Sequence, residues 1–338
     1  MNFDKILIIQ TAFLGDVILI TPLIRATREL FPDATLDVLV IPETKNVLEN
    51  NPNIQKIIIF DKRRNKFTAF FKTVKALRNN RYDLAISPHS SITTAYLMVF
   101  AGIKERLGFN RFHAARYLTL EVPHVENSLT IRKNLHLLSV FANDKFDIQT
   151  EIFPNQQQLE NADRILKEGN FQDRPTIALA PGSVWDTKRW HESHYATLAA
   201  MLFEQKFNLI FIGAIEERKL CEGIIQTSGI KAVNLAGKAS ILESAAVIGK
   251  CALMICNDNG AMHIANAMKT DVFAFFGPTV KSFGFFPFQE NDEVFEIEMD
   301  CRPCRSHGGN KCPLGHHLCM KNIEPEFVFK KVIERFEA

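Results

Sequence analysis

The chain has 338 residues, of which 46% are apolar and 23% charged, and a net charge of +2. That length exceeds one ordinary core and implies two domains. The composition is that of a soluble globular protein, and the near-neutral balance argues against general nucleic-acid binding, which requires a markedly basic domain. The N-terminus, MNFDKILIIQ, has an acid at its fourth position and only a short apolar run, so it does not read as a signal peptide. No stretch approaches the roughly 18 uninterrupted apolar residues of a membrane span. A cytoplasmic location is the expectation, and there the seven cysteines are expected to be reduced thiols or metal ligands rather than disulfides.

In the first half, strands are predicted at 5–9, 36–41, 56–60, 84–87 and 106–109, with helical stretches near 43–49, 67–77 and 92–100. This alternation implies a doubly wound parallel sheet, in which ligands bind beyond the carboxyl ends of the strands. The loop from Thr11 to Asp16 lies at such an end and opens a helix with Ile20, Ile24, Thr27 and Phe31 at helical spacing. Pro22 implies either that Thr21 caps a helix beginning there or that a helix from Asp16 kinks there. Asp16 fits a helix cap and also a general base at the mouth of a cleft. Gly15, which permits close approach of a ligand, and the apolar Ala12, Phe13 and Leu14 favour the second role. Between Lys62 and Arg81 lie Lys62, Arg63, Arg64, Lys66, Lys72, Lys75, Arg78 and Arg81 without an acid. That segment suits a phosphorylated substrate or an anionic membrane face, or simply a solvated helix. No GxGxxG follows the first strand and no Walker loop is present, which weakens the case for a dinucleotide oxidoreductase.

Pro154, Asn155 and three glutamines read as a linker opening a helix. The boundary is placed there, giving domains 1–153 and 154–323, with 324–338 as a terminal helix that begins at Pro325 and carries Phe329, Val332, Ile333 and Phe336 on one face. Strands at 176–180, 208–212, 232–235, 253–256 and 272–276 imply a second doubly wound sheet. The first of them ends in Pro181 and Gly182, followed by Ser183, Lys188, Arg189, Trp190 and a helix with Tyr195, Leu198, Ala199 and Leu202 inward. A turn, a hydroxyl, two cations and a helix N-terminus suit a diphosphate; the alternative is a loop with two solvated cations. Asp258, Asn259, Gly260 and His263 lie at another strand-to-helix turn, where Asp258 and Asn259 suit a polyhydroxylated ligand and His263 either a ligand contact or a structural hydrogen bond. Glu216 and Glu217 follow the strand ending near Gly213, within reach of a ribose diol or as helix caps. In the tail CRPCRSHGGNKCPLGHHLCM, Cys301, Cys304, Cys312 and Cys319 open like a zinc site, with His307, His316 and His317 as competing ligands, or pack as reduced thiols.

Four segments, in order and along nearly the whole chain, resemble the ADP-heptose:lipopolysaccharide heptosyltransferases of glycosyltransferase family 9, most closely the heptosyltransferase II branch. They are IIQTAFLGDVILITPLIRATRELFP, PGSVWDTKRWHESHYATLA, NDNGAMHIANAM with FFGPT, and CRPC with CPLGHHLCM. The resemblance implies a GT-B fold of two Rossmann-like domains facing a cleft, acceptor on the first and nucleotide-sugar on the second, with a last helix returning to the first domain. It implies Asp16 as catalytic base and Lys188 as holder of the donor diphosphate, beside Gly182, Ser183 and Thr187. Asp258, Asn259, Gly260 and His263 would surround the donor sugar and phosphates, Glu217 or Glu216 the ribose, and Gly15, Arg63, Arg64 and Lys66 the acceptor. The sequence differs at Val184, Trp185 and Asp186, where the branch more often has a smaller, Gly-containing loop.

The implied reaction is an inverting transfer of heptose from ADP-L-glycero-D-manno-heptose to the lipopolysaccharide inner core, onto a first heptose, by an enzyme peripheral to the cytoplasmic face of the inner membrane. The chain has no D-x-D pair, so no metal is required; Mg²⁺ is a stimulator at most, and a structural zinc in the tail is a separate expectation. Another sugar-nucleotide enzyme of the same fold, including an epimerase, and a non-catalytic nucleotide-sugar binder are the alternatives.

Overall fold

Short segments that are apolar on both faces set the architecture, because a parallel strand covered by helices above and below meets no water. KILII at Lys5–Ile9 is buried at four of five positions, and Leu253–Asn257 and Val272–Phe276 are buried throughout. The computed structural model describes residues 2–63, 65–143, 145–169, 171 and 173–337. The chain divides into two units, Met1–Phe153 and Pro154–Ala338.

The first unit contains β1 (Lys5–Ile9), β2 (Thr35–Val40), β3 (Lys56–Ile59), β4 (Leu84–Ser87), β5 (Glu105–Phe109) and β6 (Leu120–Val122), in the order β3-β2-β1-β4-β5-β6. The second contains β7 (Thr176–Ala180), β8 (Asn208–Phe211), β9 (Val233–Asn234), β10 (Leu253–Asn257), β11 (Val272–Phe276) and β12 (Glu293–Glu296), in the order β12-β11-β10-β7-β8-β9. Every neighbouring pair is parallel. Each sheet therefore runs third, second, first, fourth, fifth, sixth, and the direction of winding reverses between β1 and β4 and between β7 and β10. At such a reversal the loops leave to opposite faces and open a crevice beyond the strand ends.

Two edge strands were not expected. β6 has three residues, and β12 lies in an acidic stretch with only Phe295 buried, so neither carries the continuous apolar run seen in the edge strand β3. The helical stretch expected near 43–49 is a 3-10 segment, Pro42–Leu48. Around Pro22 the chain takes neither of the two expected forms. It breaks into α1 (Leu14–Ile18) and α2 (Thr21–Leu30), with Pro22 in the first turn of α2, where its missing N–H costs nothing. Thr21 donates its hydroxyl to the Ile18 carbonyl instead of capping α2. The remaining helices of this unit are α3 (Lys66–Asn80), α4 (Ile92–Phe100) and α5 (Thr130–His136).

In the second unit α6 (Gln156–Glu168), α7 (Glu192–Glu204), α8 (Arg218–Ser228), α9 (Ile241–Ile248), α10 (Gly260–Ala267), α11 (Leu318–Lys321) and α12 (Pro325–Glu337) cover the sheet. Trp190, 1% exposed, stacks on Phe275 at 4.2 Å between ring centroids, with Tyr195 edge-on to both. The last helix, α12, packs into the core of the second unit: Val328 and Val332 are fully buried there and Phe336 meets Phe207.

One buried polar pair sits between strands of the first unit. Tyr82, just before β4, donates its hydroxyl to Asp37 on β2, and both residues are 4% exposed. Burial, then the adjacent carboxylate, pushes the phenol well above its ordinary pKa. Removing the donor leaves a buried carboxylate oxygen without its partner, so Tyr82→Phe is expected to cost about 1–3 kcal/mol, read as a lowered urea midpoint.

Candidate active site

The crevice of the second unit lies where β7 and β10 end side by side, and the residues singled out by sequence gather at it. Lys188 Nζ meets Asp258 Oδ2 at 2.6 Å, with side chains 13% and 8% exposed. Thr279, in the turn after β11, donates its hydroxyl to the same Asp258 oxygen at 2.7 Å. Asn259 caps α10 through Oδ1, which accepts from the N–H groups of Ala261 and Met262, while its Nδ2 donates to the Gly182 carbonyl at 2.7 Å. Gly260 is the first residue of α10, and His263, one turn in, is 5% exposed. Burial lowers the His263 pKa to about 4, with Asp258 opposing and Lys188 assisting, so this imidazole stays neutral near pH 7.

The turn after β7 cannot carry a side chain at Gly182. A Cβ there would stand 1.8 Å from Glu217 Oε1, and one at Gly213 would stand 2.8 Å from Glu217 Oε2. The Glu217 carboxylate thus lies directly against the glycine turn, where it accepts from the Ala214 N–H at 2.8 Å. Burial raises its pKa, against the Ala214 N–H and Arg189. Of the two acids considered for a ribose, Glu217 faces the turn and Glu216 is exposed.

Three details of the diphosphate reading change. Arg189 is folded back: its Nε and an Nη donate to the Ser183 carbonyl at 2.9 and 2.7 Å, and it pairs with Asp186. Thr187 turns its hydroxyl away to Gly309, donating to the carbonyl and accepting from the N–H, both at 2.8 Å. The helix that begins at the crevice is α10, because a 3-10 turn at Asp186–Lys188 separates Gly182 from α7, whose first turn carries Glu192. Ser183 is buried and its Oγ accepts from the Trp185 N–H at 3.4 Å. Val184, the first residue of the unusual loop, is 75% exposed.

Sequence reasoning missed Asn257, Thr279 and the glycines of the tail. Asn257 has no exposure; its Nδ2 donates to the carbonyls of Pro181 and Gly182, and its Oδ1 accepts from the Trp190 N–H. Gly308, at φ 87°, packs so close that a Cβ would lie 3.2 Å from Lys188 Cγ. The paired glycines of SHGGNK and the polar residue closing FFGPT were the available signals.

In the first unit, Asp16 is half-buried in the first turn of α1, and its Oδ2 accepts from the Phe13 N–H at 3.2 Å. Its capping role is therefore realised, at the carboxyl end of β1. Lys62, beyond β3, donates to the Thr11 carbonyl in the same loop at 2.8 Å, and burial, then Lys62, lowers the pKa of His89 beyond β4. Gly15 lies in that first turn beside Asp16. Arg63 is exposed and paired with Glu43 at 2.6 Å. Arg64 and the side chain of Lys66 lie outside the described residues.

In the tail, Cys304, Cys312 and Cys319 line one cavity with His317, Thr187 and Gly309. Cys304 donates to the Cys301 carbonyl, and His317 Nε2 lies 2.8 Å from the Thr187 carbonyl. Among the described residues no three His, Cys, Asp or Glu side chains form a group able to hold a metal ion. The tail as it stands braces the loop of Thr187 and Lys188.

The model of glycosyltransferase family 9 (heptosyltransferase) matches residues 70–314. The lipooligosaccharide heptosyltransferase 2 of Campylobacter jejuni is 30% identical over 341 residues, covering 98% of this chain and 97% of that protein. Among solved structures, the family 9 glycosyltransferase of Veillonella parvula superposes with a TM-score of 0.88 at 20% identity, over 99% of this chain and 97% of that one. The Escherichia coli ADP-heptose lipopolysaccharide heptosyltransferase II gives 0.79 at 21% identity, over 99% and 100%. These structures establish the GT-B type of fold, and the family match, with the full-length relative, establishes descent. The chain is a member of glycosyltransferase family 9, the heptosyltransferases.

Proposed function

We propose that the protein transfers L-glycero-D-manno-heptose from its ADP donor to the inner core of lipopolysaccharide, onto a heptose already present, with inversion at the anomeric carbon. The observation that carries this reading is the Lys188–Asp258–Thr279 chain at the β7–β10 reversal of a family 9 chain. The donor and acceptor classes are those in the names of the relatives, a lipooligosaccharide heptosyltransferase and an ADP-heptose enzyme. In this reading Asp16 takes the proton of the attacking hydroxyl while its oxygen bonds to the anomeric carbon. The bond from that carbon to the diphosphate breaks, and ADP leaves with the electron pair.

Negative charge grows on the diphosphate as it departs, so a fixed cation nearby lowers the barrier. Asp258, itself held by Thr279, keeps Lys188 in place before the donor arrives. The start of α10 adds peptide dipoles on the same side. Glu217 stands where a ribose hydroxyl can donate to it, and His263, neutral, can share a hydrogen bond without adding charge. The acceptor is membrane-held and phosphorylated, which suits the basic stretch from Lys62 to Arg81 and a peripheral enzyme at the cytoplasmic face of the inner membrane.

The test incubates the purified protein with ADP-heptose and an inner-core acceptor bearing one heptose, and follows the acceptor's mass for a gain of one heptose; no gain with this donor defeats the reading. Asp16→Asn keeps an oxygen for the Phe13 N–H but accepts no proton, so kcat is expected to fall about 10²–10⁴-fold while ADP affinity measured by calorimetry is retained. Lys188→Ala is expected to lower kcat about 10²–10³-fold and also weaken ADP. Transfer is expected to persist in EDTA, because Lys188 and the α10 N-terminus meet the leaving group; complete loss, restored by Mg²⁺, would require a metal-bridged diphosphate instead.

A further inference from the structure

The basic stretch of the first unit carries a surface of joined aromatic rings. α3 and α4 pack side by side, and α4 also meets the short turn at Ala115–Tyr117. A row of rings crosses all three: Phe71 lies 5.6 Å from Phe70, Phe70 6.0 Å from Phe100, Phe100 6.2 Å from Tyr96 and Tyr96 5.2 Å from Tyr117. Phe71 is 67% exposed, Phe100 52%, and Phe67, one turn before Phe71, 79%. Ile92 and Val99 are exposed on α4 as well. Single exposed apolar residues are ordinary, whereas a contiguous group of large ones marks a contact surface.

Charge decides what covers it. Residues 62–120 hold twelve Lys and Arg against two acids, Asp83 and Glu105, in a chain whose total is only +2. Asp83 is occupied by the N–H groups of Asp4 and Lys5, and Glu105 by the Thr119 hydroxyl. Phe67, Phe71, Lys75 and Arg78 recur at helical intervals and share one face of α3. Lys72, Lys75, Arg78 and Arg81 are all exposed, and Arg78 ties α3 to α4 through the Phe100 carbonyl at 2.6 Å. A second copy of this face would meet like charge. Exposed rings joined to an unbalanced row of cations match the boundary between anionic headgroups and acyl chains.

We propose that the α3–α4 face docks on an anionic phospholipid bilayer, with Phe67, Phe71 and Phe100 entering the headgroup boundary and Lys72, Lys75 and Arg81 lying on lipid phosphates. This gives residues to the membrane contact of the preceding reading and rests on it only for the choice of membrane. The test floats the full chain with vesicles that contain no acceptor, either phosphatidylcholine alone or phosphatidylcholine with phosphatidylglycerol. Flotation is expected only with phosphatidylglycerol and should fall as salt rises. Lys72→Gln with Lys75→Gln should weaken binding about thirtyfold, and Phe67→Ser with Phe71→Ser should abolish flotation. Both variants should melt like the parent, and the phenylalanine variant should transfer heptose at the parent rate to a delipidated, water-soluble acceptor. Absence of flotation, equal binding to both vesicles or undiminished binding by the phenylalanine variant overturns the proposal. So does retention on single-stranded oligonucleotide that these variants lose, which would assign the face to nucleic acid. Intact flotation without any transfer would instead remove the catalytic reading and leave the docking face standing.

Discussion

The crevice of the second unit depends on one carboxamide, that of Asn257. Its side chain is completely buried, and it binds the two carbonyls of the turn after β7 and the N–H of Trp190, with the Tyr195 hydroxyl 3.4 Å away. Peptide groups leaving a parallel sheet need new partners, since an unpaired buried amide costs roughly the worth of a hydrogen bond. Asn257 supplies three at once, from the adjacent strand. It therefore sets the path from Pro181 to Trp190, and Trp190, stacked on Phe275, sets where α7 begins. Lys188 hangs within that path, which makes its position a property of the sheet rather than of a loose loop.

The ion pair of Lys188 and Asp258 follows the same logic. Two nearly buried charges are stable together only when each is also hydrogen-bonded or close to compensation, and Thr279 provides that for the carboxylate. The ammonium of Lys188 keeps further protons with which it can donate to an anion at the crevice. Burial raises the pKa of Glu217, which lies against the turn after β7 and accepts from the Ala214 N–H.

Much of this was legible in the sequence, and the reasons for the exceptions are physical. The eight inner strands announced themselves because burial on both faces demands unbroken apolar runs, and the edge strands β3 and β9 showed short apolar runs of their own; β6 and β12, the other two edges, are short or interrupted by acids and did not. Asp258, Asn259, Gly260 and the Pro181–Gly182 turn were legible because local pattern places them where strand gives way to helix. Arg189 and Thr187 were misjudged for the opposite reason. An arginine and a threonine beside a phosphate-like turn look like ligand contacts, yet one clamps the Ser183 carbonyl and the other binds a glycine 122 residues later. The partner of a side chain that far along the chain has no local signature, and the same holds for Thr279 on Asp258. The aromatic row of α3 and α4 was hidden because helical spacing alone does not tell a buried phenylalanine from an exposed one.

The bond between Thr187 and Gly309, with that of the Trp190 indole N–H to the Ile323 carbonyl 133 residues away, bears on how the protein is made. A chain emerging from the ribosome presents the β7 turn long before the segment that braces it. The β7 turn acquires its final shape only once the cysteine-rich tail and Ile323 have emerged. Nascent chains arrested before that point would lack the bonds that fix Thr187 and Trp190, and with them the path that carries Lys188.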